Sequence, residues 1–160
     1  MNMMIYLRKL PILLLFLGAS LSASSTTLLI DTRDSLPRSE MEIDEKTRVV
    51  SLESGLMDVL FEEGHIFFNM FTPVSDYSPG EMSREDEKAL ADAGEFGAAF
   101  LLVLRPDEKG AYWKLCRVGA PGNPVEGFAD YSETDPDKSI RERWISLGNI
   151  LAYSVIPLIR

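Results

Sequence analysis

The chain has few reactive groups, and the run IDTRDS brings several of them together. Asp31, Arg33 and Asp34 follow the apolar stretch TLLI, Asn69 lies in the aromatic run HIFFNMF, and Arg105 and Asp107 close FLLVLRPD. If these runs are strands of one sheet, Asp31, Arg33, Asn69 and Arg105 gather at one edge. A carboxylate beside a guanidinium can orient a small polar ligand, and a carboxylate pair can divide acid and base roles. The same residues also fit a simpler picture of loop polars tied by an Asp31 to Arg105 ion pair. Both readings stay open at this level.

Other chemistry is narrowed by count. His65 is the only histidine and Cys116 the only cysteine, so any Ser-His-Asp or Cys-His arrangement must use His65. That residue follows Gly64, a natural helix stop, which puts it at the start of its strand. Ligands in open α/β sheets bind beyond the opposite, carboxyl ends. Five strand residues place His65 roughly 16 Å from that edge, so a structural role is expected and no catalytic residue is assigned. A metal site built on histidine and cysteine lacks ligands, and the acidic run from Asp31 to Glu45 matches no calcium-loop spacing. DTRDSLPRSE contains no glycine-rich phosphate cradle. Neither a metal nor a cofactor is expected. Cys116, in AYWKLCRVG, reads as a buried thiol, with an intermolecular bridge or a reactive thiol as the alternative.

The elements that must position these groups are legible as periodicities. TTLLID, residues 26 to 31, reads as a first strand. Val49, Leu52, Leu56, Val59 and Leu60 form one helical stripe, started either by Ser39 with Glu42 or by Asp44, and stopped at Gly64. HIFFNMF is a second strand, with a loop TPVSDYSPG after it. Ser83 caps a second helix that Gly94 or Gly97 ends. Ala98 to Leu104 is continuously apolar, as befits a strand buried on both faces. PDEKG turns into AYWKLCRVG, an antiparallel partner. APGNPVEGF reads as a loop. Asp135 and Pro136 open a last helix, with Ile140, Trp144, Leu147, Leu151 and Val155 on one stripe and Pro157 at its end. The expected fold is α/β, a single two-layer or three-layer domain over residues 24–160. Its order is β-α-β-α-β-β-α, a mostly parallel sheet with an antiparallel C-terminal hairpin strand.

Residues 1–23 read as a separate leader. Arg8 and Lys9 precede an eight-residue apolar run, Leu10 to Leu17, and small residues follow, as in a secretory signal peptide cleaved between about Ser22 and Ser24. That run is short of the ~20 residues a spanning helix needs, so no stable membrane span is expected after cleavage; an uncleaved anchor is the alternative. Without Arg8 and Lys9, the 16 basic residues fall to 14 against 25 acidic ones, a net charge of −11. Such a surface repels phosphate backbones, and no nucleic-acid partner is expected. A periplasmic or secreted location follows, and no cysteine after the apolar run offers a site for lipid attachment.

The series of a first strand, LMDVLFEEGHIFFN, and ALADAGEFGAAFLLVL, then a hairpin and a last helix, resembles a group of bacterial envelope proteins. The group includes the TolB N-terminal domain, the curli-secretion protein CsgG and the lipoprotein activators of penicillin-binding proteins. Leu56, Leu60 and Gly64, then Ala91, Gly97, Ala98, Leu101, Leu102 and Val103, carry the resemblance, which spans most of residues 26 to 156. It implies a periplasmic, non-enzymatic protein whose partner is another envelope protein. Tyr112, Trp113, Phe128 and Tyr131 cluster late in the chain as a candidate partner-binding patch. The alternative function is a small-ligand-binding protein or small hydrolase using the polar strand-end crevice.

Overall fold

A computed structural model describes residues 25–74, 81–120 and 122–160. The leader expected over residues 1–23 lies outside the described residues, as does most of the loop expected after the second strand. Five strands form one sheet: β1 (Thr27–Asp34), β2 (Ile66–Pro73), β3 (Phe100–Pro106), β4 (Gly110–Arg117) and β5 (Val125–Asp130). Among the described residues three α-helices accompany them: α1 (Ile43–Glu62), α2 (Arg84–Glu95) and α3 (Ile140–Ile159). The strand order is β2-β1-β3-β4-β5. β1 is parallel to both β2 and β3, and the β3–β4 and β4–β5 pairings are antiparallel.

The α/β class holds, but the element order and the expected mostly parallel sheet do not. The sheet is mixed, with as many antiparallel as parallel pairings, and VEGFAD is a fifth strand where a loop was expected. Gly127 and two acids hide it, because glycine and aspartate are poor strand formers. Gly127 has a packing reason to be there: it pairs with Trp113 across the ladder, and a Cβ at this position would meet the indole at 2.4 Å. A residue that reads as a loop signal is here the space in which a tryptophan lies.

Topology then decides the layers. The chain crosses from β1 to β2 in one direction and from β2 back over β1 to β3 in the other. Right-handed crossovers of opposite direction put their helices on opposite faces. α1 packs beside α3 on one face, where Leu28, Ile30, Leu102, Leu104 and Trp113 meet Leu52, Leu56, Leu147, Leu151 and Val155. α2 sits on the other, over Leu29, Leu101, Val103 and Cys116, against which it sets Ala89, Ala93 and the partly buried Leu90. The architecture is three layers. α1 and α3 approach so closely that a Cβ on Gly148 would lie 2.3 Å from the Leu52 carbonyl oxygen.

Helix ends follow local chemistry. α1 stops at Gly64, where φ is 81°; the Gly64 and His65 N–H groups donate to Phe61 and Leu60 carbonyls, the paired hydrogen bonds of a Schellman stop. Its start falls at neither expected cap: Glu42 precedes the first turn, and its N–H donates to the Glu45 carboxylate. α3 begins later than expected, capped by Ser139 with Glu142 returning the bond. Asp135 instead accepts from the Asp137 N–H in a turn before the helix. Pro157 does not end α3, which continues to Ile159. The ring forfeits a bond to the carbonyl of Tyr153, an exposed residue where water can replace it.

Candidate functional site

β1 alternates, and the alternation sorts its residues by chemistry. Leu28 and Ile30 face α1 and α3; Leu29, Asp31 and Arg33 face α2. Register extends this second row across the sheet, for Met70, Asp31, Val103, Lys114 and Glu126 lie side by side on successive strands. The first turn of α2 lowers Asp86 onto the row. A line of charges is thus sealed beneath a helix.

Its bonds form a chain. Thr72 Oγ1 donates to Asp31 Oδ1 at 2.6 Å, and Arg33 Nε donates to Asp31 Oδ2 at 2.8 Å. Arg33 Nη1 reaches Asp86 Oδ1 at 2.5 Å. Lys114 Nζ donates to Asp86 Oδ2 at 3.0 Å and to the Glu81 carbonyl at 2.7 Å, with Glu126 Oε1 at 3.4 Å. Asp31, Arg33, Asp86 and Lys114 are between 0% and 3% exposed. Charges so removed from water persist only when paired and hydrogen-bonded.

Asp86 is the hub. Besides two cations it accepts the Ser83 N–H at 2.9 Å, while Ser83 Oγ accepts the Asp86 N–H at 3.1 Å, so the N-terminal capping box of α2 and the ionic chain share one carboxylate. Burial alone would push this carboxyl up; the Ser83 N–H, Lys114 and Arg33 outweigh it and hold the group below the usual carboxylate range. Among the described residues, Arg33 Nη2 is buried and finds no hydrogen-bond partner.

Beside the chain, Cys116 occupies the next position on the same face of β4. Burial, helped by the Asp86 carboxylate, pushes its thiol up to about 11, and its Sγ lies 3.6 Å from Met82 Sδ. A protonated buried thiol is a poor nucleophile. Cys116 belongs to the core, as the sequence favoured.

The residues selected from sequence divide between places. Asp31 and Arg33 stand together, but Asp31 bonds to Arg33 and Thr72 rather than to Arg105. Arg105 is half-buried on the α2 face, opposite Tyr112 in the ladder. Asn69 is exposed and shares a register position with Ile30, so it lies on the other face of the sheet. Asp107 caps its own turn by accepting from the Lys109 and Gly110 N–H groups. Asp86 and Lys114, the other half of the chain, were not singled out from sequence. The available signal was a lysine at the centre of an apolar strand run, in phase with Cys116.

The aromatic set divides as well. Tyr112 and Phe128 meet with their rings tilted and centroids 4.5 Å apart, and are 37% and 39% exposed on the α2 face. Trp113 points the other way into the core, and Tyr131 lies half-buried against Trp144 at 4.8 Å. His65 sits at the amino edge of the sheet, buried, where its Nδ1 accepts the Thr26 N–H at 3.4 Å. Burial lowers its pKa, Arg160 lowers it further and Glu63 opposes.

Among the described residues, no group of three or more His, Cys, Asp or Glu side chains is arranged to hold a metal ion, and no helix is long and apolar enough to cross a membrane. No protein-family model matches the chain, and no curated protein shows significant similarity to it.

Proposed function

We propose that the chain is an exported, non-enzymatic interaction module of the cell envelope, working in the periplasm or outside the cell with another envelope protein as partner. The observation that carries this reading is the state of the strand-end charges. Asp31, Arg33, Asp86 and Lys114 are spent on bonds to one another beneath α2, as suits a clamp better than a substrate site. The signal-like leader and the resemblance to the TolB, CsgG and activator-lipoprotein group support the location. The Tyr112–Phe128 pair supplies two partly exposed aromatic rings, one with a polar hydroxyl, of the kind that anchor protein interfaces.

A photocrosslinking residue placed at Phe128 in intact cells should yield one discrete adduct. The same residue placed at Lys88, on the exposed side of α2, should yield none. Equal, diffuse labelling from both positions would remove the basis of the reading. A second reading, a small anionic ligand held at the strand ends, is favoured by the unpartnered Arg33 Nη2. It requires α2 to lift, and a saturable rise in melting temperature with an anionic metabolite, abolished in Arg33→Met, would support it.

A further inference from the structure

The two edges of the sheet are built differently. β5 is short and carries Glu126, Gly127 and Asp130, the charges and glycine with which proteins blunt an edge. β2, IFFNMFTP, is longer and carries no charge, with Ile66 54% and Phe68 44% exposed. The Ile66 and Val74 N–H groups donate inward to the Thr26 and Asp34 carbonyls. By strand alternation the backbone groups of Phe67, Asn69 and Phe71 therefore point away from the sheet. At one end of this outward ladder stands Pro73, which has no N–H to offer. At the other, the His65 N–H is already bonded to Leu60.

The outward ladder is thus three residues, symmetric about Asn69. We propose that β2 pairs antiparallel with β2 of a second copy of this chain, across a two-fold axis at Asn69, joining two five-stranded sheets into one. In this register Phe67 faces Phe71 of the second copy, Asn69 faces Asn69, and about six backbone hydrogen bonds form. The side chains complement themselves on both faces. On the α1 side, Phe67 meets a Phe71 already covered by Arg38, whose guanidinium lies 4.8 Å from the ring centroid. On the α2 side, Phe68, stacked on the exposed Phe96 at 5.8 Å, meets Met70 in a sulfur–aromatic contact. The two asparagine amides can bond across the axis. No charge enters the strand pair, so association opposes only the long-range repulsion of two acidic chains and tightens as salt rises.

Sedimentation equilibrium on the chain, with charge variants at Asn69, tests this register. Asn69 is exposed and its N–H makes no bond within the chain's own sheet, so Asn69→Lys and Asn69→Asp leave the fold intact, verified by unchanged melting temperatures. The native chain should be a dimer at concentrations on the order of 10 to 100 μM, as fits an interface near the lower size limit. Each variant alone places like charges on the axis and should be monomeric, and an equimolar mixture of the two should recover the dimer. Three results would overturn the proposal: a native monomer at 100 μM, which leaves the edge to an extended segment of another protein; a lysine variant that dimerises like the native chain; or a mixture that stays monomeric.

Discussion

On the face that carries α1 and α3, Leu28, Ile30, Leu102 and Leu104 meet leucines, valines and a tryptophan from two long helices. On the face that carries α2, β1 instead presents Asp31 and Arg33 and β4 presents Lys114. The first face gains stability from area removed from water, which is insensitive to angle and distance in detail. The second gains from a few directed bonds, because α2 brings little more than Ala89, Ala93 and partly buried Leu90 as apolar cover. Area holds α1 and α3 wherever they fit, whereas the ionic chain holds α2 in one place. Buried ion pairs do not by themselves add stability over a good apolar packing. Their use here is to fix the start of α2 over β1 and β4.

The largest test of this difference is Asp86→Ala. It strands Arg33 and Lys114 without their shared carboxylate and removes the Ser83 capping partner. Loss of one member of a buried pair costs about 3–5 kcal/mol, and urea unfolding should show it. Amide exchange over α2 should rise toward the rate of an unprotected helix while α1 and α3 stay slow. A loss below about 1 kcal/mol, the scale of surface ion pairs, would show that α2 is held by its alanine face after all.

Leu151→Ala is the counterpart on the dry face and ranks next, at about 3 kcal/mol for a fully buried leucine. Here the exchange rates should rise together across α1, α3 and the sheet, because no single helix depends on that contact. If protection fell in α3 alone, the two faces would not differ in cooperativity as argued.

How much of this was legible follows from the same contrast. Apolar stripes repeat within an element, so α1, α3 and the central strands are visible in Leu52, Leu56, Leu147 and Leu151 and in the run from Ala98 to Leu104. Directed bonds join residues far apart in the chain, and nothing local ties Arg33 to Asp86 or Lys114. Asp31 and Arg33 are visible together because they share one strand end, but crevice and structural ion pair both stay open there because the helix that covers them is not visible from β1. Asn69 falls with them in the sequence because position along a strand is readable there while its face depends on register. β5 reads as a loop, Phe128 with it, since its glycine answers to Trp113 on the neighbouring strand.

The smallest effect separates the regions by acid. Burial makes the neutral form of His65 the favoured one in the fold, so the unfolded chain binds the proton first as pH falls below its ordinary value of 6.5. Stability is therefore full above that pH and declines below it, until the folded imidazole also protonates. Asp86 works in a lower window: its carboxyl is held down in the fold, so its contribution is present above the ordinary 3.8 and is lost as pH falls through the folded value. Between pH 7 and pH 5 the loosening should be confined to the amino edge of the sheet, where Thr26 bonds to His65 and to the last turn of α3. His65→Gln should flatten the stability profile in that range and leave the steep loss below pH 4 unchanged. If the glutamine variant kept the slope between 7 and 5, the titrating group would have to be sought elsewhere. If α2 lost protection in that same range, the ionic clamp would not be the acid-resistant half of the molecule.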